Sequence, residues 1–236
     1  MSQLKNPSLR IAEIFASIQG EGLRIGVPST FIRVSGCNLR CTWCDTPYAS
    51  WHPEGNHMNL DNIMEETEKW GHHDVVITGG EPMLFDAIEL LCHRLAENGH
   101  VITIETAGTI FRPNLPIELM SISPKLKNST PNDTEWGSRH EAIRSNLQPL
   151  AQLIANYSVQ LKFVVVPENT SEVNEIESIL AKVGSVAHDR IFLMPEGRDR
   201  ETLRERGAAL VPLCLSKGWR LAPRYQIDLF GDTRGT

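Results

Sequence analysis

No run of apolar residues in this 236-residue chain approaches the length of a membrane span, so an α-helical integral membrane protein is excluded. There is no dense Lys/Arg block, and the formal net charge is −6. A long polyanion such as DNA or RNA is therefore not an expected partner, whereas a small anionic ligand needs only one or two local arginines. Residues Met1 to Arg10 lack the basic-then-apolar order of a secretory signal, so the expected location is cytoplasmic. Repeats, low-complexity tracts and linkers are also missing. With 41% hydrophobic and 22% charged residues, the chain fits a single globular domain over 1–236 with a substantial core.

Cysteine is scarce, with five in all. In a reducing compartment, clustered cysteines read as metal ligands or catalytic groups before they read as a disulfide framework. Cys92 and Cys214 lie in apolar stretches and are expected to pack as small core hydrophobes. The other three fall together in Gly36-Cys37-Asn38-Leu39-Arg40-Cys41-Thr42-Trp43-Cys44-Asp45-Thr46. Three thiolates so spaced can hold three irons of a cubane iron–sulfur cluster and leave the fourth open to a small molecule. A structural zinc site is the competing reading. Zinc takes four ligands, and with no second cysteine pair its fourth would have to be His52 or His57.

Short β-branched runs alternate with amphipathic helical stretches. Strands are expected over 30–34, 74–78, 101–105, 119–122, 159–166 and 190–194, each bounded by Gly, Pro or polar residues. Helices are expected over 61–70, 86–98, 141–156, 171–183 and 200–217. This βα order predicts an α/β fold with a parallel sheet. About six core strands are too few for a closed eightfold barrel, so the expected architecture is an open, partial βα barrel. Extra edge strands would come from the termini, over 10–18 and 220–227.

Ligands in such folds collect at the C-terminal strand ends, and polar motifs stand at those positions. The cysteine loop follows the 30–34 strand. Thr78-Gly79-Gly80-Glu81-Pro82 follows the next, where exposed carbonyls and the Glu81 carboxylate would make an acceptor-rich seat for an ammonium group. A plain Gly-Gly turn entering a helix is the alternative. Glu105 ends a third strand and could hold ribose hydroxyls. Ser123-Pro124-Lys125 ends a fourth, and Met194-Pro195-Glu196 a sixth. Ahead of the first core strand, Ile18-Gln19-Gly20-Glu21 offers an amide and a carboxylate suited to the hydrogen-bonding edge of a heterocycle. Arg33 is a charge inside an apolar strand, and its partner is either an internal acid or the substrate.

Taken together, Cys37-x3-Cys41-x2-Cys44 and Gly79-Gly80-Glu81-Pro82 resemble the radical S-adenosylmethionine (SAM) superfamily. Within it, the order from Ser17-Ile18-Gln19-Gly20-Glu21-Gly22 through Phe31-Ile32-Arg33, the cysteine loop, Glu105-Thr106-Ala107-Gly108 and Ser123-Pro124-Lys125 to Met194-Pro195-Glu196 resembles the 7-carboxy-7-deazaguanine synthase family. The resemblance implies a radical ring contraction of 6-carboxy-5,6,7,8-tetrahydropterin with loss of ammonia, in queuosine and 7-deazapurine biosynthesis. It implies a [4Fe-4S] cluster on Cys37, Cys41 and Cys44, SAM, and Mg2+ at Thr46. Ile18, Gln19, Gly20, Glu21, Arg33 and Thr78 would contact substrate. Gly80, Glu81, Glu105, Ser123, Pro124 and Lys125 would bind SAM, together with Trp43, Asp45, Met194, Pro195 and Glu196. A flavodoxin- or ferredoxin-like reductant and a homodimer are implied as well. The match departs near the C-terminus, where Gln226 stands at a position the family often fills with histidine, and glutamine does not titrate. Arg224 beside it is a candidate contact for the substrate carboxylate. Two other readings stay open: a glycyl-radical-enzyme activase, and a zinc or electron-transfer binding module without turnover.

Overall fold

The computed structural model describes residues 7–132, 134–167 and 169–236, and for Thr134 and Thr170 the backbone alone. The expectation drawn from Met1 to Arg10 thus falls largely on residues 1–6, outside the described residues. Nine strands form one sheet: β1 (Ser8–Ile18), β2 (Pro28–Val34), β3 (Asn56–Asn59), β4 (Asp74–Gly79), β5 (Val101–Thr106), β6 (Leu119–Ile122), β7 (Val159–Val165), β8 (Ile191–Pro195) and β9 (Arg220–Leu221). Their spatial order is β3-β1-β2-β4-β5-β6-β7-β8-β9, with every pair from β2 onward parallel. β1 runs antiparallel to both β2 and β3. The sheet is an open partial barrel whose six long parallel strands, β2 and β4 to β8, are the six expected, and β3 and β9 form its free edges.

Alternation along each strand sorts residues between two faces. Ile32, Val34, Val75, Ile77, Ile102, Ile104, Leu161 and Phe163 point one way and join a single core with Leu91 and Leu95 of α2 (Ala87–Glu97), Leu153 of α4 (Gln148–Asn156) and Ile176 of α5 (Thr170–Val183). Each such side chain withdrawn from water contributes on the order of 1.5–3 kcal/mol. The intervening residues Arg33, Thr78, Glu105, Ser121, Lys162 and Met194 face the inside of the curved sheet and line one cavity. The outer face holds the fold together, and the inner face carries the chemistry.

Helix ends follow side-chain chemistry. Asn59 Oδ1 accepts the Asn62 amide at 2.8 Å to open α1 (Leu60–Glu68), and Asp199 Oδ1 accepts that of Thr202 at 2.9 Å to open α6 (Arg200–Lys217). Gly218 closes α6 in the left-handed region with φ 68°.

Three expectations are corrected. The helix expected over 141–156 is two, α3 (Thr134–Arg144) and α4, because Ser145 and Asn146 end the first and Pro149 suits only the first turn of the second. The C-terminal strand expected over 220–227 stops at Leu221. Pro223 has no N–H to give a ladder, and Tyr225–Phe230 forms a short helix, α7. β3 has no counterpart among the expected strands, since three of its four residues, Asn56, His57 and Asn59, are polar and it sits at the sheet edge.

Candidate active site

The cavity, of about 340 Å3, opens at the C-terminal ends of the parallel strands. Cys37, Cys41 and Cys44 occupy one wall, all as free thiols. Their loop is pinned from several sides. Trp51 Nε1 donates to Cys41 O at 3.0 Å, Thr42 N to Ser129 O at 3.0 Å, and Arg40 N to His140 Nδ1 at 3.1 Å. His140 is fully buried on α3, and its Nε2 faces the Ser129 hydroxyl at 2.9 Å. Polar groups also reach the sulfurs: Leu39 N donates toward Cys37 Sγ at 3.4 Å, and the Cys44 thiol and the Ser50 hydroxyl stand 3.1 Å apart, the hydroxyl also donating to Thr46 O at 3.3 Å.

Burial, reinforced by the Glu81 charge, pushes the Cys37 thiol up to about 12, and burial pushes Cys41 up to about 11. Such thiols become ligands only when a strong positive centre binds among them. Among the described residues no histidine lines the cavity with these thiols. His52 and His57 are exposed and do not line the cavity, so neither supplies a fourth zinc ligand. Three cavity-facing thiols without a fourth suit a cluster with one open iron.

Gly79 and Gly80 have a structural reason of their own. Gly79 has φ +127°, and a Cβ on Gly80 would lie 2.1 Å from Gly36 O and 2.6 Å from Ala49 O. The end of β4 thus abuts the start of the cysteine loop backbone to backbone, with Glu81 N donating to Gly36 O at 2.9 Å. Gly80 lines the cavity, but Glu81 does not. Glu81 is fully buried and accepts from Thr106 Oγ1 at 2.6 Å, Ala107 N at 2.8 Å and Met83 N at 3.1 Å. Its burial pushes the carboxyl up despite these donors. Of the expected ammonium seat, the Gly79–Gly80 backbone lines the cavity, whereas the Glu81 side chain ties the end of β4 to β5. Pro124 is likewise not a lining residue, whereas Ser123 and Lys125 on either side are, joined by a 2.8 Å bond from Lys125 Nζ to Ser123 Oγ.

Every other expected site residue lines this one cavity. Also lining the cavity, Glu21 accepts at Oε2 from Lys162 Nζ at 2.7 Å, and at Oε1 from Gln226 Nε2 at 2.9 Å and Arg224 Nε at 3.4 Å. Burial alone would raise the Glu21 carboxyl, but Lys162 and Arg224 outweigh it and bring it down to about 2. Burial lowers the Lys162 ammonium, and Glu21 and Glu105 raise it by more, so it stays charged. Arg224 also pairs with Asp45 and donates to Gly197 O at 2.7 Å. Glu105 accepts from Thr78 Oγ1 at 2.8 Å and Gln19 Nε2 at 3.2 Å. Glu196 is held by Arg206 from α6. Trp43 lies beneath Lys125, whose Nζ is 5.2 Å from the ring centroid. Thr46 Oγ1 is 3.8 Å from Cys44 Sγ.

The radical SAM superfamily model matches residues 31–124, the stretch from β2 through the cysteine loop to the end of β6. A 7-carboxy-7-deazaguanine synthase from Halobacterium salinarum is 43% identical over 98% of this chain and 93% of its own length. One from Rhodopirellula baltica is 41% identical over 97% and 89%. The chain belongs to the 7-carboxy-7-deazaguanine synthase family. QueE from Escherichia coli superposes with a TM-score of 0.68 at 25% identity, covering 91% of this chain and 93% of that one. SuiB from Streptococcus suis, solved bound to S-adenosylmethionine, shares the fold at 15% identity and TM-score 0.53 over 78% of this chain and 47% of its own. Full-length likeness to the deazaguanine synthases displaces both the activase and the turnover-free binding module.

The site also holds residues that the sequence reading passed over. Lys162 is a charge in an apolar strand, the same signal that singled out Arg33, and that signal was there to be used. Glu13 is likewise a charge among apolar neighbours in β1, whereas Tyr48 carries no such signal. They enter through the pairing of β1 with β2 and through a loop, and both bond around Arg33.

Proposed function

We propose that this chain converts 6-carboxy-5,6,7,8-tetrahydropterin to 7-carboxy-7-deazaguanine with release of ammonia, acting as a carbon–nitrogen lyase within a single domain over 1–236. The observation that carries the proposal is one cavity lined both by three free thiols and by the charged, donor- and acceptor-rich set Glu21, Arg33, Thr78 and Arg224. Cys37, Cys41 and Cys44 would hold the cluster, with Gly80, Glu105, Ser123, Lys125, Trp43, Asp45, Met194, Pro195 and Glu196 around SAM. When bound, that pair supplies a carbon-centred radical that takes hydrogen from C6 of the substrate.

The chain's own residues bind and orient. Glu21, kept ionised by Lys162 and Arg224, accepts N–H donors of the pterin edge, with Ile18, Gln19, Gly20, Thr78 and Gln226 beside it. Arg33 and Arg224 supply positive charge for the substrate carboxylate. Gln226 binds and does not titrate, so proton transfer is not its task. Mg2+ would take the Thr46 hydroxyl, since that ion prefers oxygen and keeps waters alongside. A flavodoxin- or ferredoxin-like protein would deliver the electron, and the working unit would be a homodimer.

The test is anaerobic reconstitution with iron and sulfide, then reduction in the presence of SAM and the carboxypterin. The proposal expects a brown protein with about four irons per chain, and deazaguanine and ammonia in equal amounts. SAM cleavage with no deazaguanine would keep the radical chemistry and remove this substrate.

A further inference from the structure

Lys162 stands between the two halves of the cavity. It is 4% exposed on the inner face of β7. Its Nζ donates to Glu21 Oε2 at 2.7 Å and lies 3.6 Å from Glu105 Oε1. Gln19, 5% exposed, makes a second bridge. Its Nε2 donates to Glu105 Oε1 at 3.2 Å, and its Oε1 accepts the Glu21 backbone N–H at 3.0 Å. Glu21, Lys162, Glu105 and Gln19 thus close a ring that spans from the segment before β2 to the end of β5.

Each carboxylate already has partners outside the ring. Glu21 has Arg224 and Gln226, and Glu105 has Thr78. Charge balance at one acid alone would not require a lysine to reach both. What Lys162 adds is a tie between them. Ammonium is the right group for it, since it is a compact charge with three donors that can serve two carboxylates at once.

We propose that Lys162 is a positioning residue that couples the substrate side of the cavity to the cofactor side. This rests on the assignment above of Glu21 to the pterin and Glu105 to SAM. Contacts of a pterin to Glu21 and of SAM to Glu105 bear on one bonded ring, so whatever one ligand restrains in it the other need not restrain again. The second ligand loses less conformational freedom than the first, so binding is positively cooperative. Linkage makes the effect reciprocal: each ligand tightens the other by the same factor.

The experiment measures equilibrium binding to the reconstituted full-length protein without reductant, so that no turnover intervenes. SAM affinity is determined by anaerobic dialysis with and without saturating 6-carboxytetrahydropterin, and pterin affinity with and without SAM. In the parent protein both factors should agree and reach at least about fivefold, the lower end of measured couplings. Lys162→Met should bring both below about twofold, whatever it does to either affinity alone. A lysine present only to neutralise buried charge would lower the melting temperature and leave the coupling factor intact, which overturns the proposal. If Lys162→Met does not fold, Glu105→Gln weakens the longer arm of the bridge and must lower the factor likewise; an unchanged factor there also overturns it. Two ligands that bind the parent protein independently would overturn this inference and leave the functional reading standing. A pterin that does not bind at all would overturn both.

Discussion

Glu13 and Arg33 face each other across the antiparallel β1–β2 pair, with Arg33 Nε 2.6 Å from Glu13 Oε1. The buried arginine therefore has an internal acid, one of the two partners expected for it. Glu13 is shared further: Tyr48 OH donates to the same oxygen at 2.9 Å, and Arg234 Nε stands 3.2 Å from the other. Among the described residues Glu13 is the only acceptor for Arg33, through Nε, which leaves the Nη groups for a ligand.

Replacing Arg33 with Ala is expected to weaken pterin binding about 10- to 100-fold, the value of a hydrogen bond to a charged group. Tyr48 and Arg234 still serve Glu13, so the variant should fold. Calorimetric titration with the carboxypterin checks it. Unchanged affinity would make Arg33 a brace for Glu13 and nothing more.

Glu81→Gln separates a structural from a ligand-binding role. The amide places an N–H2 group where the carboxylate accepted two backbone N–H bonds and a hydroxyl. A loss of about 1–3 kcal/mol in urea unfolding is expected, the cost of an unsatisfied buried donor or acceptor. SAM affinity per loaded cluster should stay nearly constant, because Glu81 does not line the cavity. A large loss of SAM affinity at full stability would instead make the Glu81 carboxylate a ligand contact.

His140 predicts an acid limb in the stability profile. Burial, with Arg144 next, pushes its imidazole down to about 4 from the usual 6.5. The folded protein thus prefers the neutral ring that accepts Arg40 N and bonds Ser129. Its contribution is complete above pH 6.5 and is lost as pH falls from there toward 4. Urea midpoints measured across that window should decline in the parent and flatten in His140→Gln. Equal slopes in the two proteins would contradict the assignment.

Much of the scaffold was legible because buried parallel strands announce themselves as short apolar runs, and all six core strands lie where such runs stand. The cysteine loop and the Gln19-to-Glu21 segment were legible from residue chemistry at strand ends. The place of Glu81 is not legible in the sequence, because Gly79 and Gly80 just before it line the cavity while its own side chain turns to Thr106. Lys162 carries the same signal as Arg33, a charge in an apolar strand, but its partner Glu21 lies far off in sequence and shows only in the fold. The helix at Tyr225–Phe230 depends on Pro223 ending β9, a local break that outweighed the apolar pattern of the segment.

Transfer of hydrogen from C6 is the step on which the account turns. The most direct measurement is anaerobic turnover of 6-carboxytetrahydropterin deuterated at C6, with mass analysis of product, 5′-deoxyadenosine and recovered SAM. The account predicts 7-carboxy-7-deazaguanine as product and deuterium in the 5′-deoxyadenosyl group, whether recovered as 5′-deoxyadenosine or as re-formed SAM. Deazaguanine formed with no deuterium in that group, or a labelled group with no deazaguanine, would contradict it.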